Sequence, residues 1–251
     1  NGFDRALTGR YPPGSTFKVA TTYAYLTKGI TTPTAPVPCP KTITVDGLEF
    51  GNFGGSSLPG SPPFSKNFAE SCNTAFVQLG IDTGADALRG TARSFGVDIA
   101  PPTTPLQVVE STVGPIPDDA ALGMTSIGQK DVALTPLQNA MIAATVANKG
   151  VTMRPYLVDS LKGPDLANIA TTAPTEERRA VTEQVADTLT DLMVAAEQVT
   201  QQKGAIAGVQ IASKTGTAEH GTDPRNPPPH AWYIAFAPAQ NPKVAISVLI
   251  E

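Results

Sequence analysis

The last fifty residues constrain the fold more than any other stretch, because they read as strands while helical patterning dominates everything before them. Val209-Gln210-Ile211-Ala212-Ser213-Lys214-Thr215-Gly216-Thr217 alternates apolar and polar residues, as a half-buried strand does. A proline-rich loop over 221–229 leads into Ala231-Trp232-Tyr233-Ile234-Ala235-Phe236, and Asn241-Pro242 turns the chain into Val244-Ala245-Ile246-Ser247-Val248-Leu249-Ile250. Three strands in succession predict an antiparallel meander. Helices set apart from such a sheet make the chain α+β. The expected layout is one domain over 1–251, helical over about 15–203 and stranded over about 209–251.

The first helix begins at a chain break. Pro12-Pro13-Gly14 is followed at once by Val19, Tyr23 and Leu26 near a 3.6-residue spacing, so a helix is expected from about Ser15 to about Lys28, with Gly29 as its stop. Ser15 and Lys18 are three apart and share one helical face. That sets an amine beside a hydroxyl at the positive end of a helix. A serine needs an adjacent base to become a nucleophile. A free lysine, with a pKa near ~10.4, is protonated at pH 7. Lys18 serves as that base only if burial or a neighbouring cation lowers its pKa. Taken alone, the pattern favours a capped helix with a solvated lysine.

Residues 31–64 are rich in Pro, Gly, Ser and Thr and read as a surface excursion. They hold one hairpin, 42–45 with 48–50, turned at Asp46-Gly47. Ser65 is expected to cap a helix reaching Ser71. A second helix over 73–79 is ended by Gly80, and a third over 85–95 by Gly96. Ser71 and Asn73 therefore fall at a junction between helices. Residues 99–121 read as loop. Thr135 and Pro136 open a clear helix ended by Gly150, with Leu137, Ala140, Met141 and Ala144 on one face. After an extended stretch over 151–161, a long helix is expected over 175–202, its buried face formed by Val181, Val185, Leu189, Leu192 and Ala196. The run Glu176-Glu177-Arg178-Arg179 reads as its solvated first turn.

The net charge of −4, from 18 basic and 22 acidic residues interspersed along the chain, argues against an extensive nucleic-acid interface. No apolar run approaches the ~18 residues of a membrane span, and no signal-peptide pattern opens the chain, which reads as a soluble piece of a longer protein. Cys39 and Cys72 lack metal-site spacing and the two histidines are His220 and His230, so neither a metal nor a cofactor is expected. The cysteines fit a disulfide in an oxidising compartment or two unrelated buried thiols.

Two later stretches change the reading of Ser15. Ser71-Cys72-Asn73 and Lys214-Thr215-Gly216-Thr217 follow it in order. Ser-x-x-Lys, Ser-x-Asn and Lys-Thr-Gly together are the signature of serine β-lactamases and penicillin-binding proteins. The chain resembles the transpeptidase domain of class B penicillin-binding proteins over nearly its whole length. The likeness includes Tyr11-Pro12-Pro13-Gly14-Ser15, Ser126-Ile127-Gly128-Gln129, Leu134-Thr135-Pro136-Leu137-Gln138 and His230-Ala231-Trp232-Tyr233. The gap of 143 residues between Ser71 and Lys214 suits these proteins better than the compact β-lactamases.

The resemblance implies an antiparallel sheet flanked by helices, with an all-helical subdomain. It implies that Ser15 attacks a D-alanyl carbonyl of a peptidoglycan stem peptide and that Lys18 takes its proton. Ser71 then relays a proton to the leaving group, and Asn73 holds the substrate amide and Lys18. Lys214 and Thr215 receive the substrate carboxylate. The backbone N–H groups of Ser15 and Thr217 form an oxyanion hole, and Gly216 lets substrate lie along the strand edge. The implied activity is a D,D-transpeptidase acylated by β-lactams. A D,D-carboxypeptidase, a serine β-lactamase and a non-turnover β-lactam sensor stand as alternatives. The implied partners are a stem-peptide donor, an amine acceptor and the cell-wall synthesis machinery. The implied location is the extracytoplasmic face of the membrane, with the anchor outside this chain. A Cys39–Cys72 link would hold the second motif in place. Two strands that usually precede the Ser-x-x-Lys helix in this family, and a helix that follows the last strand, have no counterpart here. His220 has no role in the resemblance.

Overall fold

The structure, a computed structural model, describes residues 4–200, 205–218 and 229–251. A 3-10 turn, Gly14–Phe17, runs straight into α1 (Lys18–Thr27), and Gly29 ends it. Lys18, Val19, Ala20, Thr21, Thr22, Ala24 and Tyr25 are all buried, so α1 is wrapped on most of its circumference. A helix placed this way is a central element of the core, as apolar-all-round helices are.

Strands β1 (Thr42–Val45) and β2 (Leu48–Gly51) pair antiparallel with Val45 opposite Leu48, closing the two-residue turn at Asp46-Gly47. The segment around them is more than a surface excursion. Val37, Cys39 and Phe50 are buried in the main core, and a Cys39–Cys72 disulfide ties this segment to the helices. Helix α2 (Phe64–Ala69) is preceded by Pro63, not capped by Ser65; the Ser65 N–H is instead spent on the Pro33 carbonyl. Helix α3 (Asn73–Thr83) runs through Gly80 and ends at Gly84. Gly80 is a contact point rather than a stop: a Cβ there would lie 1.9 Å from Ser126 Oγ. Helix α4 (Ala85–Ser94) ends before Gly96 as expected. Of the expected loop over 99–121 only residues 119–121 are helical, as the start of α5 (Asp119–Ser126), whose first turn is capped by the Asp118 carboxylate accepting the Ala121 N–H.

Helix α6 (Pro136–Ala147) has its Thr135 cap and first-position proline. Its buried face is rotated from the apolar one expected. Gln138, Asn139 and Thr145 point inward while Ala144 is exposed, because each buried polar group has a partner: the Phe95 carbonyl, Thr16 and Thr152. Strand β3 (Val151–Met153) follows, then β4 (Ser160–Lys162), β5 (Asn168–Thr171) and β6 (Glu176–Arg179). β6 corrects the reading of Glu176–Arg179 as a helix's first turn. These residues pair with β3, Arg154 bonds Glu177 across the ladder at 3.0 Å, and the helix starts only at the Thr182 cap as α7 (Glu183–Val199). The region before residue 203 therefore holds three two-stranded sheets (β1–β2, β3–β6, β4–β5) and is not wholly helical.

Strands β7 (Ala212–Ala218), β8 (His230–Ala237) and β9 (Val244–Ile250) form the meander in that order. α6 covers one face of β8 and β9, and α7 packs against β7, α2 and α1. The start of β7 is not half-buried: Ala212, Ser213 and Lys214 are all buried, with α7 and the Gly14–Phe17 turn packed against the strand.

Candidate active site

The turn carrying Ser15 is fastened from three distant segments. Gly14 N–H donates to the Gly128 carbonyl at 2.9 Å, Asn139 Nδ2 donates to Thr16 Oγ1 at 3.0 Å, and Trp232 Nε1 donates to the Pro12 carbonyl at 2.9 Å. Thr16 and Asn139 are fully buried, so that pair is rigid. Strand β7 lies directly against the turn. A Cβ on Gly216 would meet the Pro13 carbonyl at 2.6 Å, so only glycine permits this approach.

Lys18 is wholly buried on the same turn. Its Nζ lies 2.8 Å from the Ser71 carbonyl, 2.7 Å from Asn73 Oδ1 and 3.3 Å from Ser71 Oγ, with the Phe76 ring centroid at 5.0 Å. Burial, and then the charge of Lys214, hold its pKa well below the usual lysine value. Nζ donates to all three oxygens; once it gives up a proton, two N–H groups can stay on the carbonyl-type acceptors while its lone pair faces the Ser71 hydroxyl.

Ser71 sits between α2 and α3 in the left-handed region, φ 60. A non-glycine residue there stores strain of a kind that gathers at functional sites. Here it turns both the carbonyl and the hydroxyl of one residue toward Lys18. The surrounding loop is bolted down. Cys72, between Ser71 and Asn73, is bonded to Cys39. Asn52 donates to the Pro40 carbonyl at 2.8 Å and accepts the Thr74 N–H at 3.1 Å, and Asn73 Nδ2 donates to the Gly51 carbonyl at 3.1 Å.

Lys214 is also buried. Its Nζ donates to the Thr215 carbonyl at 3.1 Å and faces the Phe68 ring at 5.9 Å, and burial pushes its pKa down to about 7. β7 is an edge strand. The Thr217 carbonyl accepts from Gln129 at 3.4 Å, on the side away from β8. In an extended strand one residue's N–H and C=O leave by the same edge, so the Thr217 N–H also faces the Ser15 side. Ser15, in the first turn of its helix, has an N–H with no intrahelical acceptor.

Ser15, Ser71, Asn73, Thr215, Gly216 and Thr217 all line one cleft of about 950 Å³, and Lys18 and Lys214 lie buried beneath it. The arrangement offers a hydroxyl, a proton-accepting amine, a hydroxyl that bridges amine and cleft, two N–H donors and a buried cation, the parts acyl transfer needs. The sequence did not reveal the other cleft wall, made by Phe50 to Gly54 of the β2 hairpin, nor Asn139 behind Ser15. Asp82, Asp86, Asp98, Glu110, Asp118, Asp119 and Asp131, the carboxylates between Ser71 and α6, do not line the cleft; Glu49 and Glu70 do. His220 lies outside the described residues.

Residues 2–251 match the family described as the penicillin binding protein transpeptidase domain. The chain is 67% identical over 251 residues to the peptidoglycan D,D-transpeptidase PbpA of Mycolicibacterium smegmatis, covering 99% of this chain and 51% of that protein. It superposes with a TM-score of 0.95 on penicillin-binding protein A from M. tuberculosis in its ceftriaxone acyl-enzyme complex, at 66% identity, covering 99% of this chain and 57% of that one. Its TM-score with the penicillin G acyl-enzyme complex of the same protein is 0.92 at 64% identity, again covering 99% and 57% of the two chains. The chain spans about half the length of the curated relatives it matches.

Proposed function

Since this chain belongs to the penicillin-binding protein transpeptidase family, we propose that it is a serine D,D-transpeptidase that cross-links peptidoglycan stem peptides and is covalently trapped by β-lactams. One observation carries the reading: Ser15, Ser71–Asn73 and Thr215–Thr217, far apart in the chain, meet in one cleft, with Lys18 Nζ beneath it within 3.3 Å of Ser71 Oγ. Ser15 Oγ attacks the carbonyl of the penultimate D-alanine while its proton passes to Lys18. The oxyanion is held by the N–H groups of Ser15 and Thr217. The proton returns through Ser71 to the departing D-alanine amine, and the acyl group stays on Ser15. The acceptor amine then attacks this ester and loses its proton to Lys18, which returns a proton to the departing Ser15 Oγ and so restores the free hydroxyl. Asn73 orients the donor amide, and Lys214 with Thr215 takes the terminal carboxylate. The free edge of β7 accepts the donor backbone as an added strand.

The reading places the domain on the extracytoplasmic face of the membrane. Among the described residues no helix is long and apolar enough to cross a membrane. Tandem mass spectrometry after penicillin treatment tests the assignment, with the adduct expected on the Ser15 peptide and lasting for hours. An adduct elsewhere overturns it. Loss of the adduct within a minute favours a β-lactamase and makes Glu49 and Glu70, the carboxylates that line the cleft, the first to replace. Transfer of the acyl group to an added amine separates a transpeptidase from a carboxypeptidase, which uses water.

A further inference from the structure

Among the described residues, three side chains that carry charge in water are buried: Lys18, Lys214 and Glu197. The two lysines belong to the motifs. Glu197, near the end of α7, belongs to none. Its Oε2 accepts a hydrogen bond from Ser213 Oγ and another from the Tyr233 hydroxyl at 2.8 Å, while Oε1 has no hydrogen-bond partner among the described residues. Burial and this carboxylate push the Tyr233 phenol up to about 12, so it stays protonated and donating.

The two donors bracket the third motif. Ser213 immediately precedes Lys214, and Tyr233 lies opposite Thr215 in the β7–β8 ladder. Side chains alternate along a strand, so Ser213, Thr215 and Tyr233 share one face, and through Glu197 that face is joined to α7. The same helix end continues into Val199 and Thr200, which line the cleft beside Thr215. An apolar residue of similar size would stabilise such a position as well as a half-satisfied buried carboxylate, or better. Glu197 itself lines a separate, smaller cavity of about 160 Å³, behind the strand that forms the Ser15 cleft.

We propose that Glu197 is a positioning residue for acyl transfer: its single oxygen clamps β7 and β8 to α7 on either side of Lys214–Thr215 and so sets the height of that strand against Ser15. The inference rests on the proposed reading of Ser15 as the acylated residue. The test compares Glu197→Leu and Glu197→Gln with the wild type, measuring the second-order constant for acylation by benzylpenicillin per folded active site, with thermal melting followed in parallel. Glu197→Leu is expected to slow acylation about tenfold or more, the size expected when two buried donors lose their acceptor. In Glu197→Gln the amide oxygen still accepts both hydroxyls, and acylation is expected to stay within about threefold of wild type. Ser213→Ala is expected to add little loss in the leucine background, since the bond is already gone. A leucine variant that melts lower yet acylates at the wild-type rate overturns the proposal, leaving a structural anchor only. A glutamine variant as slow as the leucine one overturns the clamp in favour of the charge. If the leucine variant does not fold, Tyr233→Phe carries the test, with slowed acylation expected and an unchanged constant overturning the proposal. A wild-type protein that takes no label on Ser15 overturns the Ser15 reading and this inference together. A labelled wild type with an indifferent Glu197 variant overturns this inference alone.

Discussion

Lys18 and Lys214 are both buried, both face an aromatic ring and both have depressed pKa values, yet their surroundings differ in kind. Lys18 has three oxygens within 3.3 Å, all from Ser71 and Asn73. Among the described residues Lys214 has one, the carbonyl of the next residue. An amine enclosed by fixed partners is built to exchange a proton with them. An amine with donors to spare, beneath a cleft, is built to meet an anion that arrives. Sequence position alone does not separate these roles; the count of acceptors does.

The hardest blow to this contrast is Lys18→Arg. Arginine keeps the charge and cannot give up its proton, so penicillin acylation should fall by about 10²–10⁴-fold, the worth of a general base. A folded variant with near-normal acylation would end the proton-exchange role. Lys214→Met should cost less, roughly ten- to a hundredfold, which is one charge-assisted bond to the ligand carboxylate. A loss as large as that of Lys18→Arg would mean that Lys214 also handles protons.

The Lys18 cage can be sharpened through its support. Replacing Cys39 and Cys72 together by serine opens a loop with a sequence separation of 33. In the chain-entropy model this lowers stability by ~3–4 kcal/mol. Because Cys72 lies between Ser71 and Asn73, acylation should also slow, by about tenfold or less, while the Lys214 side is untouched. Because the charge of Lys214 also lowers the Lys18 pKa, combining the serine pair with Lys214→Met should give a loss that departs from the product of the two, as coupled sites do.

The smallest expected effect is in the melting temperature. Lys214 titrates at about 7 when folded and near 10.5 when unfolded. Between those values the unfolded chain binds the extra proton, so stability rises with pH across that window. Lys18, also depressed, adds to the same slope. The tyrosines pushed up by burial, Tyr11, Tyr25 and Tyr233, oppose it once pH passes their ordinary value of 10.0. Melting should therefore move up by a few degrees from pH 7 to about 9.5. Lys214→Met should flatten the rise, and an unchanged slope would show that Lys214 is solvated in the folded protein.

Local signals carried much of the fold. Asp46-Gly47 gave its hairpin and Thr135-Pro136 its helix start, because a turn and a cap are decided within four residues. The run Glu176–Arg179 misled for the converse reason: its charge suggests a helix surface, and its true partner is β3, more than twenty residues earlier. The buried face of α6 was misphased because Gln138, Asn139 and Thr145 are polar and find partners that hydrophobic periodicity does not register. The motif residues were recognisable as a set through resemblance. The groups that hold them, Asn139, Asn52 and Glu197, look like ordinary helix or loop residues until a distant element buries them.

The fastening of the Ser15 turn also has a consequence in time. Its partners are Gly128, Asn139 and Trp232, and the last is 220 residues away along the chain. A polypeptide synthesised from its N-terminus makes Ser15 well before Trp232, the most distant of the contacts that seat it. Local pieces form before such distant closures, so on the proposed reading β-lactam labelling reports that this closure has been made. A chain whose β8–β9 hairpin has not docked is expected to take up the drug slowly.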